Sequence, residues 1–418
     1  MLSLNLPPYK ITICKNSQRE PGLMVFNVRY GSGARPKDNR GWIIAIDQVG
    51  KIVFSLTLDA PTQDIRQHPN GNIFFSQTGI GLMTEIDQSG DKLRQWYVTG
   101  KWKKKKPPVS AIPIDIPLIH HTLNVFPNGN LLLNSAEGKN IENWYTSDMN
   151  PDAPRKNSLV IGDVFYEVDL EGNKIREWHA FDFLDIERIC YGSLSKYWEQ
   201  QGFINSRDWC HANASSYVAI DDSLLISFRT QDCIIKLDCQ TNEIKWILGP
   251  HDNWRKPWTE KLLKPDQSVQ WQYHQHDVSI THEGTILCFD NGNFRSCPFE
   301  PKLSASDNYS RIVEFEVDEA NRKVKQIWSY GEAQEDRIYA CYQGGALRLP
   351  QTGNSFMTCG GICTKEGIPS DDNSNFGRSR LVELTPEKEI VFEMWIDSSG
   401  EAVPLPLSSF RAEHVIVR

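Results

Sequence analysis

Residues 232–249 read DCIIKLDCQTNEIKWILG. Apolar and polar residues alternate on both sides of a central polar cluster. This pattern predicts two antiparallel strands, each with one buried face, joined by a turn that Asp, Asn and Thr supply. Five other stretches repeat the unit. They are GWIIAIDQVGKIVFSL (41–56), GLMTEIDQSGDKLRQWYV (81–98), DVFYEVDLEGNKIREWHA (163–180), SRIVEFEVDEANRKVKQIWSYG (310–331) and SRLVELTPEKEIVFEMWI (379–396). Recurrence at this spacing marks units that bury their faces only against one another.

A second hairpin precedes five of these six: QDIRQHPNGNIFFS (63–76), HTLNVFPNGNLLLNS (121–135), HANASSYVAIDDSLLISFR (211–229), HDVSITHEGTILCFDNG (276–292) and QGGALRLPQTGNSFMTCGG (343–361). Each places a tight turn, such as Asn-Gly, between two strands. The first trailing hairpin has only a lone strand before it, PGLMVFNVRY (21–30), and the chain ends in another lone strand, FRAEHVIVR (410–418). The two complete one unit if the last strand joins the first unit. The predicted fold is therefore all-β: a six-bladed β-propeller of four-stranded blades, its ring closed by the C-terminal strand. Residues 1–20 form an N-terminal arm and 21–418 the propeller, with no composition break to suggest a second domain.

The chain has 418 residues, 39% hydrophobic and 11% aromatic, enough for a large core, and a net charge of −8. The basic run KWKKKK (101–106) lies between strand patterns and reads as a solvated loop, so nucleic acid is not an expected partner. No segment has the length of a membrane span. The first residues lack the apolar stretch of a secretory leader, which makes a cytoplasmic location the default expectation. Ten scattered cysteines form no CxxC pair, so most are expected as buried thiols; Cys288 with Cys297, or Cys359 with Cys363, could pair under oxidising conditions. Trp96, Trp178, Trp246, Trp328 and Trp395 end equivalent strands and are expected to pack units together. Long insertions at 139–157, 181–206, 250–270 and 297–309 are expected as rim loops, and the Trp-rich stretch 254–271 is a possible lid.

The leading strands line the centre of a propeller, so their first residues and the ends of their partner strands share one rim. His121 stands eight residues before Gly129, and His276 eight before Gly284. His211 opens the longer fourth-unit strand, so three histidines take equivalent positions. Strand alternation predicts that His120 faces away from His121, and it puts His68 and His282 at turns and His274 just before its strand. Arg229, Asn213, Asn291 and Gln343 fall on the same rim. Imidazoles, a guanidinium and carboxamides together suit a tetrahedral anion: the fork of Arg229 matches its oxygens, one histidine can act as nucleophile and another can move a proton.

At these residues the chain resembles the arylsulfate sulfotransferase family, which works without PAPS. The resemblance rests on IHHTLNVFPNGN, DWCHANASSY, LLISFRTQDCIIKLD, YHQHDVSI with FDNGN, and YQGGALRLPQTGN, and runs from Pro21 to Phe410. It implies ping-pong transfer of a sulfuryl group from an aryl sulfate to a phenol, with no cofactor. It further implies that His276 is the transiently sulfated nucleophile, His211 and His121 are acid/base and oxyanion-binding groups, and Arg229 gathers the sulfate oxygens. Asn213, Asn291 and Gln343 are the expected substrate-binding residues, and the partners are small aryl sulfates and phenols. The resemblance also implies an additional N-terminal β-domain and, often, export, neither of which is expected from the residues read here, and Thr122 stands where an acidic residue is common. A metal site built from the three histidines and a non-catalytic scaffold are the alternative readings.

Overall fold

The computed structural model describes residues 6–30 and 40–417; the first five residues of the expected arm, residues 31–39 and residue 418 lie outside it. The chain is all-β, in six open sheets. The first holds Ala412–Val415, Leu23–Tyr30, Gly41–Ile46 and Ile52–Leu58, so the C-terminal strand does pair with the first unit. The second runs Ile65–Gln67, Ile73–Gln77, Leu82–Ile86 and Lys92–Val98, and the third Leu123–Val125, Leu131–Trp144, Lys156–Val168 and Lys174–His179. The fourth runs Ala212–Val218, Ser223–Phe228, Cys233–Asp238 and Ile244–Leu248. The fifth runs His276–Ile280, Ile286–Asp290, Arg311–Asp318 and Lys323–Tyr330. The sixth runs Gly345–Arg348, Ser355–Lys365, Phe376–Leu384 and Ile390–Ile396. Tyr9–Cys14, within the expected arm, adds an outer strand to the sixth sheet beside Ile390–Ile396.

The repeated residues have repeated tasks. The aspartate of each turn, Asp47, Asp87 or Asp238, accepts backbone N–H groups two or more residues on and so fixes the turn by its side chain. In the second sheet Asn70 and Asn72 of the PNGN turn donate to Glu85, which pairs with Arg94; in the third, Asn130 donates to Glu167, which pairs with Arg176. Three of the five tryptophans tie neighbours together by hydrogen bonds, whereas the buried Trp246 indole has no hydrogen-bond partner. Trp96 donates to Leu170 O (2.9 Å), Trp178 to Cys239 O (3.2 Å) and Trp328 to Pro386 O (2.9 Å), each in a turn of the next sheet.

Insertions depart from the loop expectation in part. Residues 139–157 mostly extend two long paired strands, since Leu131–Trp144 lies against Lys156–Val168. Trp254 in 250–270 is buried and its indole donates to Pro250 O. All ten cysteines are free thiols. No helix among the described residues is long and apolar enough to cross a membrane.

The leading strands meet in order. Ile65–Gln67 touches Leu123–Val125, which touches Ala212–Val218, then His276–Ile280, then Gly345–Arg348; Ala412–Val415 touches both Gly345–Arg348 and Ile65–Gln67. Their common contact is a buried ionic hub. Arg411 reaches Asp64 (2.8 Å) and Asp277 (3.0 Å), and Arg66 reaches Asp277 and Glu413 (both 3.2 Å). Asp64 also accepts Leu123 N–H, Asp277 accepts Ala346 N–H, and Arg411 donates to Asn213 O. One network thus joins all six sheets.

Arg411→Met is expected to lower the unfolding free energy by about 3–5 kcal/mol, because Asp64 and Asp277 stay buried with Arg66 alone, at 3.5 and 3.2 Å, left to balance both carboxylates. Urea denaturation followed by tryptophan fluorescence measures it; a loss of under about 1 kcal/mol contradicts the hub's structural role.

Candidate active site

Above the hub the leading strands begin, and three of their first residues leave ordinary strand geometry. His121, His211 and Gln343 have φ of 53°, 48° and 58°, in the left-handed region that non-glycine residues seldom occupy. The turn in the backbone interrupts regular strand alternation at these residues. It also overturns one expectation: His120 does not face away. Its Nδ1 lies 2.9 Å from Nδ1 of His121, because the left-handed residue 121 breaks the alternation that predicted opposite faces.

A row of three imidazoles results. His121 Nε2 meets His211 Nε2 at 3.2 Å, His211 Nδ1 meets Asp208 Oδ2 at 2.6 Å, and His120 Nε2 meets Ser135 O at 2.9 Å and Asp163 Oδ1 at 3.2 Å. Acceptors stand at both ends, so the row has four links that need a proton. Three neutral imidazoles bring three protons. The row therefore has room for one more. Asp208 is steadied by Trp198 Nε1 (2.7 Å) and Ser195 Oγ (3.2 Å). His121, at the centre, is held well below the usual imidazole range by burial and then by His211, His120, His276 and Arg411.

His276 stands apart from the row; the Phe410 ring lies 6.4 Å from it and 5.9 Å from His121. Its Nδ1 is 2.6 Å from Asn291 Oδ1. The Asn291 amide nitrogen donates to Ala340 O and Gln343 O, both at 2.8 Å, which fixes which end of the amide faces the ring. An oxygen facing Nδ1 requires Nδ1 to carry the proton. Nε2 is then left with its lone pair. Burial, followed by Arg229, keeps His276 well below the usual imidazole range, so the ring is neutral near pH 7.

Arg229 follows Ser223–Phe228 and makes no ion pair among the described residues; Nη2 reaches only Cys341 O, at 3.5 Å. Asn213 donates to Gln275 O (2.7 Å), leaving Oδ1 buried without a partner, and Gln343 Oε1 is likewise unpartnered. Asn291 is fully buried behind His276, where it orients the ring. His274 binds Asp232 instead (2.9 Å), and His68 binds Gly129 O at a turn. Tyr197, from the 181–206 insertion, packs against His211 with ring centroids 4.5 Å apart. The sequence reading missed His120, Asp163, Asp208, Tyr197 and Phe410. Only Asp208 had a local signal, three residues before His211.

Among the described residues no group of three or more His, Cys, Asp or Glu is disposed to hold a metal ion. The ring nitrogens of the row face one another and protein acceptors, which disfavours the metal reading.

The model of the arylsulfotransferase (ASST) family matches residues 10–402. The chain belongs to the arylsulfotransferase family. Two curated relatives, both arylsulfate sulfotransferase AssT, come from Escherichia coli O6:H1 and Lelliottia amnigena; each is 30% identical over 222 residues, which covers 43% of this chain. The match spans only 36% of the relatives' own length. A solved structure of a Bacteroides caccae protein of unknown function aligns over 94% of this arylsulfotransferase-family chain and 99% of its own, with 12% identity and a TM-score of 0.46.

His121, His274 and His276 are all depressed by burial, and unfolding returns them to about 6.5. Their contribution to stability is present above that pH and is lost as pH falls below it, because the unfolded chain then binds protons that the folded chain refuses. His179 works in the opposite sense: burial lowers it, but Glu137 more than offsets this and raises it. The melting temperature is therefore expected to fall between pH 7 and 5.5, and His276→Asn should flatten that fall. An unchanged slope in the variant contradicts the assignment.

Proposed function

We propose that this chain transfers a sulfuryl group from an aryl sulfate ester to a phenolic acceptor through His276, at the axial mouth of a six-bladed β-propeller spanning residues 21–418. The ring is supported by the ordered contacts of the leading strands and by the hub that touches all six sheets. The observation that carries the chemistry is the orientation of Asn291, which leaves His276 Nε2 as a free, neutral nucleophile beside an unpaired arginine.

In the first half-reaction Nε2 attacks sulfur, an N–S bond forms and the S–O bond to the aryl group breaks. The row enters this step with its fourth place filled, and the departing phenolate takes that proton and leaves as the phenol. Arg229 stabilises the charge spread over the sulfuryl oxygens. In the second half the acceptor phenol returns a proton to the row, its oxygen bonds to sulfur and the N–S bond breaks. The row ends as it began, and its single extra place matches the one proton that each half-reaction moves. His211 and His121 lie at the substrate end of this exchange; His120 acts through them as a positioning residue. Asn213 and Gln343, with free carboxamide oxygens, are suited to the hydroxyl or ring substituents of the substrates. Aryl sulfates and phenols are the expected small-molecule partners, and no step requires a cofactor.

With 4-nitrophenyl sulfate and phenol, in the absence of PAPS, nitrophenol release should occur and should fall about a thousandfold or more in His276→Asn. Undiminished release by the variant rules out His276 as nucleophile, and mass spectrometry of acid-sparing digests should locate an added sulfuryl group on the peptide carrying it.

His120→Gln makes a separate test. Its rate loss should be about tenfold or more greater with an unactivated phenyl sulfate than with 4-nitrophenyl sulfate, whose phenolate leaves without help. Equal losses for the two donors mean that His120 only supports the fold.

A further inference from the structure

The register of the sheets pairs Arg229 with a second arginine. Cys233 and Trp42 each stand five residues before the aspartate, Asp238 or Asp47, that makes the turn of their hairpin. Phe228 pairs with Cys233, and Val28 pairs with Trp42. The next residues are Arg229 in the fourth sheet and Arg29 in the first. They occupy one structural position, and in the cycle of strand contacts two sheets separate them either way.

Arg29, like Arg229, has no ion pair among the described residues, and its Nε is buried with no hydrogen-bond partner. Two further buried polar groups adjoin it. Ser408 stands directly opposite Arg29 in the antiparallel pairing, and its Oγ interacts with the Tyr342 hydroxyl. Apart from each other, neither hydroxyl has a hydrogen-bond partner. The Tyr342 hydroxyl and Leu407 O both border Gly377, which places the tyrosine beside the neighbouring Leu407. Burial lowers the Arg29 pKa, and Tyr342 and Tyr197 are its principal electrostatic neighbours. Tyr197 in turn packs on His211 and His121, so Arg29 borders the histidine row.

We infer that Arg29, Ser408 and Tyr342 form a second anion subsite, which holds a carboxylate on the aryl group of a substrate whose reacting oxygen lies at His276 and Arg229. A guanidinium fork with two hydroxyl donors matches a carboxylate's two oxygens. A buried guanidinium N–H left unpaired, as at Arg29 Nε, is costly, and a ligand anion relieves that cost. The inference rests on the sulfuryl-transfer reading for the identity of the aryl ligand.

The test compares 4-hydroxyphenylacetate with its neutral methyl ester. Calorimetry on the wild-type chain should show the acid binding about tenfold or more tighter than the ester. Arg29→Met should abolish that preference, and Arg29→Lys, which keeps the charge but loses the fork, should fall between. As sulfuryl acceptors the two compounds should show the same change in their ratio of kcat/KM. Equal wild-type binding of acid and ester overturns the subsite, as does a preference that survives in Arg29→Met. The wild-type comparison needs no variant to fold, and binding needs no turnover. A chain that prefers the acid yet transfers no sulfuryl group would retain the subsite and retire the sulfotransferase reading.

Discussion

The contact of Arg411 with Asp64 and Asp277 holds the rest in place. Charges taken out of water are tolerated only where geometry and additional hydrogen bonds compensate them. Here the compensation comes from every sheet: carboxylates from the second and fifth, backbone N–H groups from the third and sixth, a carbonyl from the fourth and the guanidinium from the strand that completes the first. Apolar packing between sheets is tolerant of small slips; this hub is not. The same guanidinium is among the charges that depress His121 and His276, so the group that centres the fold also helps to keep the candidate nucleophile neutral.

The candidate site carries backbone strain. Left-handed residues at 121, 211 and 343 stand just before their strands and break the alternation of side chains there. The rigid part of each sheet then fixes where those side chains lie, which is the arrangement that transfer chemistry needs when most of the rate comes from preorganised groups. In the proposed reaction the row of imidazoles and the isolated His276 would divide the labour: one handling a proton, the other offering the lone pair that Asn291 leaves on Nε2.

Much of this was legible in the sequence because the repeats state it several times. The turn aspartates, the PNGN turns and the strand-end tryptophans have the same partners in successive sheets, so their pattern carried the all-β architecture and the pairing of the last strand with the first unit. His121, His211 and His276 were singled out as candidates by equivalent positions, and Arg229 by its place at the end of a partner strand. What escaped depended on departures from the pattern. His120 was misjudged because alternation fails at a left-handed residue. Arg411 was hidden inside an ordinary closing strand, FRAEHV. Tyr197 came from an insertion outside the repeat, and Arg29 was visible only once strand pairing gave an exact register to the first and fourth sheets.

Residues 407–415 carry an uncommon concentration of duties: they border the Arg29 group, place Phe410 between His276 and His121, and supply Arg411 and the strand that pairs with Leu23–Tyr30. Arg411 and Asp64 are 347 positions apart along the chain. Such distant pairings make folding slow, since the entropy of closing the loop is lost before any contact offsets it. Until that segment docks, the first sheet has an unpaired edge, the feature through which β-rich chains associate wrongly. Completion of the candidate site and cover for that edge thus depend on one and the same segment.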